Sequence, residues 1–122
     1  FYEYPESGKK YLWPDLDRLY TDQDRVRSTN LQELKDRILF IQAIETVRCL
    51  EEGVLRTVAD ANIGSIFGIG FAPWTGGAIQ FINQYGVRAF MERATELAKT
   101  YGERFTPPKL LQEKAETNTP FS

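Results

Sequence analysis

The chain has 122 residues, a net charge of -2, no histidine and one cysteine. This length fits one ordinary domain, and basic residues scattered among carboxylates argue against nucleic-acid binding. No apolar run is long enough to span a membrane, and a lone cysteine cannot form an internal disulfide, which favours an intracellular, cytoplasmic location.

Residues 1–30 are predicted to be an irregular lead from a preceding domain. Prolines and clumped aromatics ("FYEY", "YLW") interrupt the segment, and a short helix is expected over 14–19, where Pro14 suits the first turn. The segment begins without a methionine or a signal-peptide pattern, so the sequence is interpreted as a fragment of a longer polypeptide.

The first firm element is a helix predicted over 31–52. Asn30 is its N-cap, Glu33 stands where a capping box returns, and Gly53 follows the last turn. The middle of this helix is nearly apolar all round, which indicates packing on more than one side.

Four more helices are predicted to complete an all-α domain over 31–115, which then has about five helices. The second runs from an N-cap at Thr57 to Gly68, and two more cover 77–85 and 87–101. Prolines 107 and 108 open a last short helix, and residues 116–122 are expected to trail as a tail without periodicity. No strand alternation of useful length occurs.

The stretch "GIGFAPWTGG", residues 68–77, could be a phosphate loop or a corner between helices. It departs from the dinucleotide fingerprint because Pro73 stands where the third glycine belongs. It departs from a nucleotide-triphosphatase loop because Ala78 and Ile79 follow the last glycine instead of a lysine and a hydroxyl.

Two interpretations of this stretch stay open. In the first, the glycines permit positive φ and close helix contact while Phe71, Pro73 and Trp74 plug a gap. In the second, free N–H groups of Gly76, Gly77 and the following alanine hold an anion such as a CoA phosphate. The first interpretation is favoured. It makes packing or interface candidates of five residues: Phe71, Pro73, Trp74, Gly76 and Gly77.

Glu45 is the only carboxylate in the apolar middle of a predicted helix, where burial could make it a general base. Without a histidine to share proton transfer, a structural role is favoured, with the carboxylate bonded to backbone or to an arginine of a neighbouring helix. Cys49 is expected to be a small buried hydrophobe. No acidic cluster has the spacing of a metal site.

Four motifs in order, "ETVRCLEEG", "ADANIGSIFGIGFAPWTGG", "QFINQYG" and "YGERFTPPKLL", resemble the C-terminal domain of the L-3-hydroxyacyl-CoA dehydrogenase family. The chain is most similar to the last such domain of multifunctional fatty-acid β-oxidation proteins, which join an enoyl-CoA hydratase to the dehydrogenase. The resemblance covers residues 31 to about 115. Ala72 replaces a frequent proline of the family, and Ile44 stands where asparagine often precedes the family glutamate, here Glu45.

The resemblance implies a supporting role in a larger enzyme. The family binds NAD on a Rossmann domain, with a catalytic histidine and glutamate near its end and an essential asparagine in the first helical domain, and none of these regions is present here. The chain would bind no cofactor and have no catalytic or metal residue of its own. Its partners would be a sister helical domain and the NAD-binding domain of the same polypeptide, with acyl-CoA as the parent's substrate.

The sequence therefore predicts an isolated fragment without activity, whose parent oxidises a 3-hydroxyacyl-CoA with NAD. The alternative is a stand-alone helical module that dimerises through the apolar surface around helix 31–52, or that binds acyl-CoA without catalysis. If the sister domain is missing, the fragment is expected to form homodimers through its exposed apolar surface.

Overall fold

The computed structural model describes residues 1–122 and confirms the predicted all-α class. Seven α-helices carry the chain, and a single pair of two-residue strands precedes them. The chain divides into two compact units, Phe1–Leu31 and Gln32–Ser122. In chain order the elements are β1 (Tyr2–Glu3), β2 (Tyr11–Leu12), α1 (Asp15–Tyr20), α2 (Gln23–Ser28), α3 (Leu31–Glu51), α4 (Val58–Ile69), a 3-10 turn (Pro73–Thr75), α5 (Ala78–Tyr85), α6 (Val87–Tyr101), a second 3-10 turn (Glu103–Phe105) and α7 (Lys109–Thr117).

The first unit is a small hairpin followed by two short helices. Strands β1 and β2 are antiparallel, with Tyr2 opposite Leu12. The helix expected over 14–19 is present as α1, whereas α2 was not predicted. Its signal is Asp22, whose carboxylate accepts hydrogen bonds from the N–H groups of Asp24 and Arg25 at 3.1 Å and so caps a run that the sequence analysis treated as irregular.

In the second unit, the helix predicted over 31–52 ends at Glu51. The predicted cap of α4 is confirmed, because the Thr57 hydroxyl accepts from the N–H of Asp60 at 3.0 Å. Helix α4 continues through Gly68 and ends at Ile69, where Gly70 takes the left-handed conformation with φ +70°. The stop expected at Gly68 therefore lies two residues further on.

An aromatic cluster holds α3, α5 and α6 together. Phe40 of α3 stacks on Phe90 of α6, with ring centroids 4.1 Å apart and an interplanar angle of 8°. Phe81 and Tyr85 of α5 meet both rings edge-on. Such contacts add stability beyond the area they bury. They bury Phe40, which lies in the apolar middle of α3.

The C-terminal residues do not trail, which corrects the predicted tail over 116–122. Helix α7 continues to Thr117, and Phe121 is only 6% exposed. The Asn83 amide donates to the carbonyl of Phe121 and accepts from its N–H, both at 2.9 Å. This two-way bond lets the phenyl ring join the core although the segment has no periodicity.

Candidate functional site

The corner between α4 and α5 is held by side chains of α4. The Asn62 carboxamide oxygen accepts from the N–H groups of Ile79 and Gln80, at 3.0 and 2.9 Å. The Ser65 hydroxyl accepts from the N–H of Ala78 at 3.0 Å. The two bonds to Asn62 join residues 17 and 18 positions apart in the chain. They take the place of the bonds that an N-cap side chain normally makes to the first turn of its own helix.

Hydrogen bonds within the corner itself also fix its conformation. The Thr75 hydroxyl donates to the carbonyl of Ala72 at 2.6 Å and accepts from the N–H of Gly77 at 3.2 Å. The N–H of Gly76 donates to the carbonyl of Pro73 at 3.1 Å. Each N–H group proposed to hold an anion therefore already has an acceptor in the protein. The expectation of a CoA phosphate at Gly76 and Gly77 loses the free donors on which it rested.

Gly77 lies in close contact with the backbone of α4. Its φ is +115°, and a Cβ added there would lie 2.5 Å from the Cα and 2.7 Å from the carbonyl oxygen of Asn62. These are backbone atoms, which cannot rotate away. The predicted role of Gly77 in close helix contact is thus seen in the geometry. Gly64 and Gly68, by contrast, have no atom within 4 Å of an added Cβ, so they do not mediate a helix crossing in this chain.

The three bulky residues of the corner divide between core and surface. Phe71 is buried and lies 5.8 Å from the Phe81 ring between centroids, as expected for a plug. Pro73 is exposed and Trp74 is 84% exposed, which corrects the prediction that they fill the same gap. Exposure leaves both able to contact a partner.

Glu45 is not buried, which corrects its placement in an apolar environment. Its side chain is 61% exposed and pairs with Arg48 of the same helix at 2.9 Å. The burial that could have made it a general base is absent, and the arginine it contacts lies one turn along α3 and not on a neighbouring helix. Cys49 is half-buried.

A groove of about 470 Å³ separates α3 from α4 and opens to solvent. Its walls are mainly apolar, and residues from both helices and from the loop between them line it: Ile41, Cys49, Val54, Leu55, Ala61 and Ile69 among others. Gln42, Glu45 and Thr46 add the polar part of the lining. The Thr46 hydroxyl already donates to the carbonyl of Gln42 at 2.8 Å.

Beside this groove, α4 and the corner expose four large apolar side chains, which we name the α4 surface. Their exposed fractions are 59% for Ile63, 86% for Phe67, 60% for Ile69 and 84% for Trp74. Ile63 and Phe67 lie one turn apart on the same face of α4, and Ile69 lines the groove. Exposed apolar side chains are ordinary when they are scattered singly, and they indicate a contact site when they lie together. Of these four residues, only Trp74 was predicted from the sequence to be an interface residue, because the pattern of α4 was used to predict the bounds of the helix and not its exposed face.

The buried polar side chains near this site bond to backbone groups of the chain. They are Thr46, Ser65 and Thr75. No group of three or more histidine, cysteine, aspartate or glutamate side chains is placed to hold a metal ion. None of the helices has the length and apolar character needed to cross a bilayer.

No protein-family model matches this chain.

Proposed function

We propose that this chain is the C-terminal helical domain of an NAD-dependent 3-hydroxyacyl-CoA dehydrogenase polypeptide, and that its role is to pack against a sister helical domain. The observation that carries the packing role is the α4 surface beside an open apolar groove. The resemblance of four ordered motifs carries the family. The parent would be intracellular, with NAD on another domain and a 3-hydroxyacyl-CoA as substrate.

The inner polar groups support a role without catalysis. Buried hydroxyls in this domain satisfy backbone groups of the corner and of α3, and Glu45 is exposed and paired with Arg48. A general acid or base is usually tuned by burial in the cleft that it lines, and Glu45 lines the groove without being buried. The dyad and the NAD site would therefore come from the rest of the parent polypeptide.

The first test measures activity of the isolated chain. Incubation with acetoacetyl-CoA and NADH should give no loss of NADH absorbance above a blank without protein. A parent enzyme of this class, assayed alongside, shows that the substrates are competent. Turnover that scales with the concentration of the isolated chain would refute the proposed supporting role.

The second test measures self-association through the α4 surface. Without a sister domain, sedimentation equilibrium at about 100 µM protein should show a dimer. Phe67→Ser and Trp74→Ser should shift the chain toward monomer without loss of helical signal, because both side chains are exposed. Tyr4→Ser is the matched control, since Tyr4 is 75% exposed but lies outside this surface. A monomer at this concentration, or equal effects of all three substitutions, would count against the proposal.

A stand-alone dimerisation module is the second candidate, and the same α4 surface favours it. The two functions differ in what the gene encodes upstream of Phe1. A Rossmann fingerprint followed by a helical domain would support the dehydrogenase parent. An upstream region without them, combined with a stable homodimer, would support the stand-alone module.

A further inference from the structure

A second groove lies along the N-terminal half of α3, between this helix and the 3-10 turn Glu103–Phe105, and we name it the arginine groove. Its volume is about 220 Å³, and its lining is Leu34, Arg37, Ile38, Ile41, Arg104 and Phe105. Apolar side chains of α3 therefore meet two guanidinium groups, one from α3 and one from the 3-10 turn before α7. Only Ile41 is shared with the groove between α3 and α4.

Both guanidinium groups rest on aromatic rings and have no carboxylate partner within the chain. The Arg37 guanidinium carbon lies 4.1 Å from the Tyr101 ring centroid, and that of Arg104 lies 5.3 Å from the Phe105 centroid. The nearby Glu33 carboxylate accepts from the Tyr101 hydroxyl. Stacking holds a guanidinium in a fixed orientation, so less freedom is lost when an anion binds.

Other arginines of this unit that lie beside α3 are already neutralised. Arg48 pairs with Glu45 at 2.9 Å, and Arg93 pairs with Asp36 of α3 at 3.1 Å. Arg37 and Arg104 thus stand out as oriented cations whose charge is not compensated by an ion pair in the chain. A carboxylate of another molecule would neutralise these two guanidinium groups through charge-assisted hydrogen bonds.

The apolar part of the groove has the spacing of a helix contact. Leu34, Ile38 and Ile41 follow one another at i, i+4 and i+7 on α3, so they form a ridge on one face. Leu34 is 38% exposed and Ile38 is 52% exposed. A ridge of this kind packs against apolar residues of another helix laid along it.

We propose that the arginine groove docks an amphipathic helix of a partner protein that carries carboxylates beside its apolar residues. The apolar ridge accepts the partner's apolar face, and Arg37 and Arg104 accept its carboxylates. A basic helix would be repelled, and a helix without charge would leave two cations beside a desolvated contact. This proposal concerns a different surface from the α4 surface, so it does not depend on the sister domain.

The test uses fluorescently labelled synthetic helices of about 18 residues. One carries leucines at i, i+4 and i+7 with glutamates beside them; the second replaces the glutamates with lysines, and the third replaces the leucines with serines. Fluorescence anisotropy with the full chain should show binding of the glutamate peptide, about tenfold weaker binding of the other two, and weakening in high salt. Equal affinity for the glutamate and lysine peptides would overturn the proposal.

Two pairs of variants locate the binding. Arg104→Glu and Ile38→Ser should each weaken the glutamate peptide about tenfold, because one reverses a contact charge and the other removes part of the ridge. Arg56→Glu and Val26→Ser are the matched controls and should leave the affinity unchanged, since Arg56 lines a separate groove and Val26, 58% exposed on α2, belongs to neither proposed surface.

Two results would overturn the placement. One is unchanged affinity in Arg104→Glu with the helical signal retained. The other is self-association of the chain that Arg104→Glu weakens, because a second copy would then be the occupant of the groove. Loss of self-association in Phe67→Ser with peptide binding retained would separate this proposal from the sister-domain function.

Discussion

Gly77→Ala is the substitution whose cost follows most directly from the α4–α5 contact. Two penalties combine at this position. A φ of +115° with ψ of 171° is a region that only glycine adopts readily, which costs an alanine about 1–3 kcal/mol. In addition, the new Cβ would lie 2.5 Å from the Cα of Asn62, so α4 and α5 must move apart.

The displacement adds an overpacking cost of about 1–3 kcal/mol. It also stretches the hydrogen bonds from the Asn62 side chain to α5, each worth about 1 kcal/mol. We therefore expect Gly77→Ala to lower the free energy of unfolding by about 4 kcal/mol. A loss of this size is a large part of the total stability of an ordinary domain.

Gly70→Ala provides the matched control. Gly70 also has positive φ, +70°, but nothing lies within 4 Å of an added Cβ. This variant should lose only about 1–2 kcal/mol, from the backbone conformation alone. Urea denaturation followed by circular dichroism at the helical band measures both losses. Equal losses in the two variants would refute the close-contact explanation, since backbone strain alone would then account for both.

The remaining predictions concern the cap of α5, the C-terminal anchor and the alkaline range. Asn62→Ala should cost about 2 kcal/mol in a urea titration, because two N–H groups of α5 lose their acceptor; a loss below about 0.5 kcal/mol would show that water replaces it. Phe121→Ala should cost about 3 kcal/mol by the same measurement, as for other buried phenylalanines, and a neutral result would mean that the anchor adds nothing to the core. The hydrogen bond to Glu33 raises the pKa of Tyr101, so the folded state holds the phenol proton more tightly than the unfolded chain. That stabilisation is complete below the unfolded value of about 10 and is lost as pH rises through the folded pKa. Unfolding free energies measured across this range should fall more steeply for the natural chain than for Tyr101→Phe, and parallel curves would contradict the assignment.

The helices could be predicted because the residues that cap them and the apolar pattern that defines them lie within or next to each helix in the sequence. Thr57 caps α4 from three residues away, and Gly102 ends α6 directly after an apolar stripe. Capping and periodicity act within a turn or two, so a window of sequence contains them. Helix α2 was not predicted although Asp22 supplies an equally local cap. Its charged sequence lacks the apolar periodicity from which the other helices were predicted.

The candidate site was predicted less well, because its contacts join distant residues. Nothing in the sequence next to Gly77 indicates that Asn62 will accept the bonds of α5. The available signal was the pair Asn62 and Ser65, two polar residues three apart on one face of a mostly apolar helix. The burial expected for Glu45 was wrong for a related reason: the packing of neighbouring helices decides which part of a nearly all-apolar helix stays open, and Glu45 lies at the open groove between α3 and α4.

The cap that α4 provides for α5 also affects which backbone amides are protected from solvent. The first amides of a helix usually exchange their hydrogens rapidly, since they have no partner inside the helix. In this chain those of Ile79 and Gln80 are bonded to Asn62, so they become free only when α4 and α5 separate. Their hydrogen-exchange rates therefore report the separation of α4 from α5. Most other amides of the two helices stay protected during this motion, because their hydrogen bonds lie within one helix.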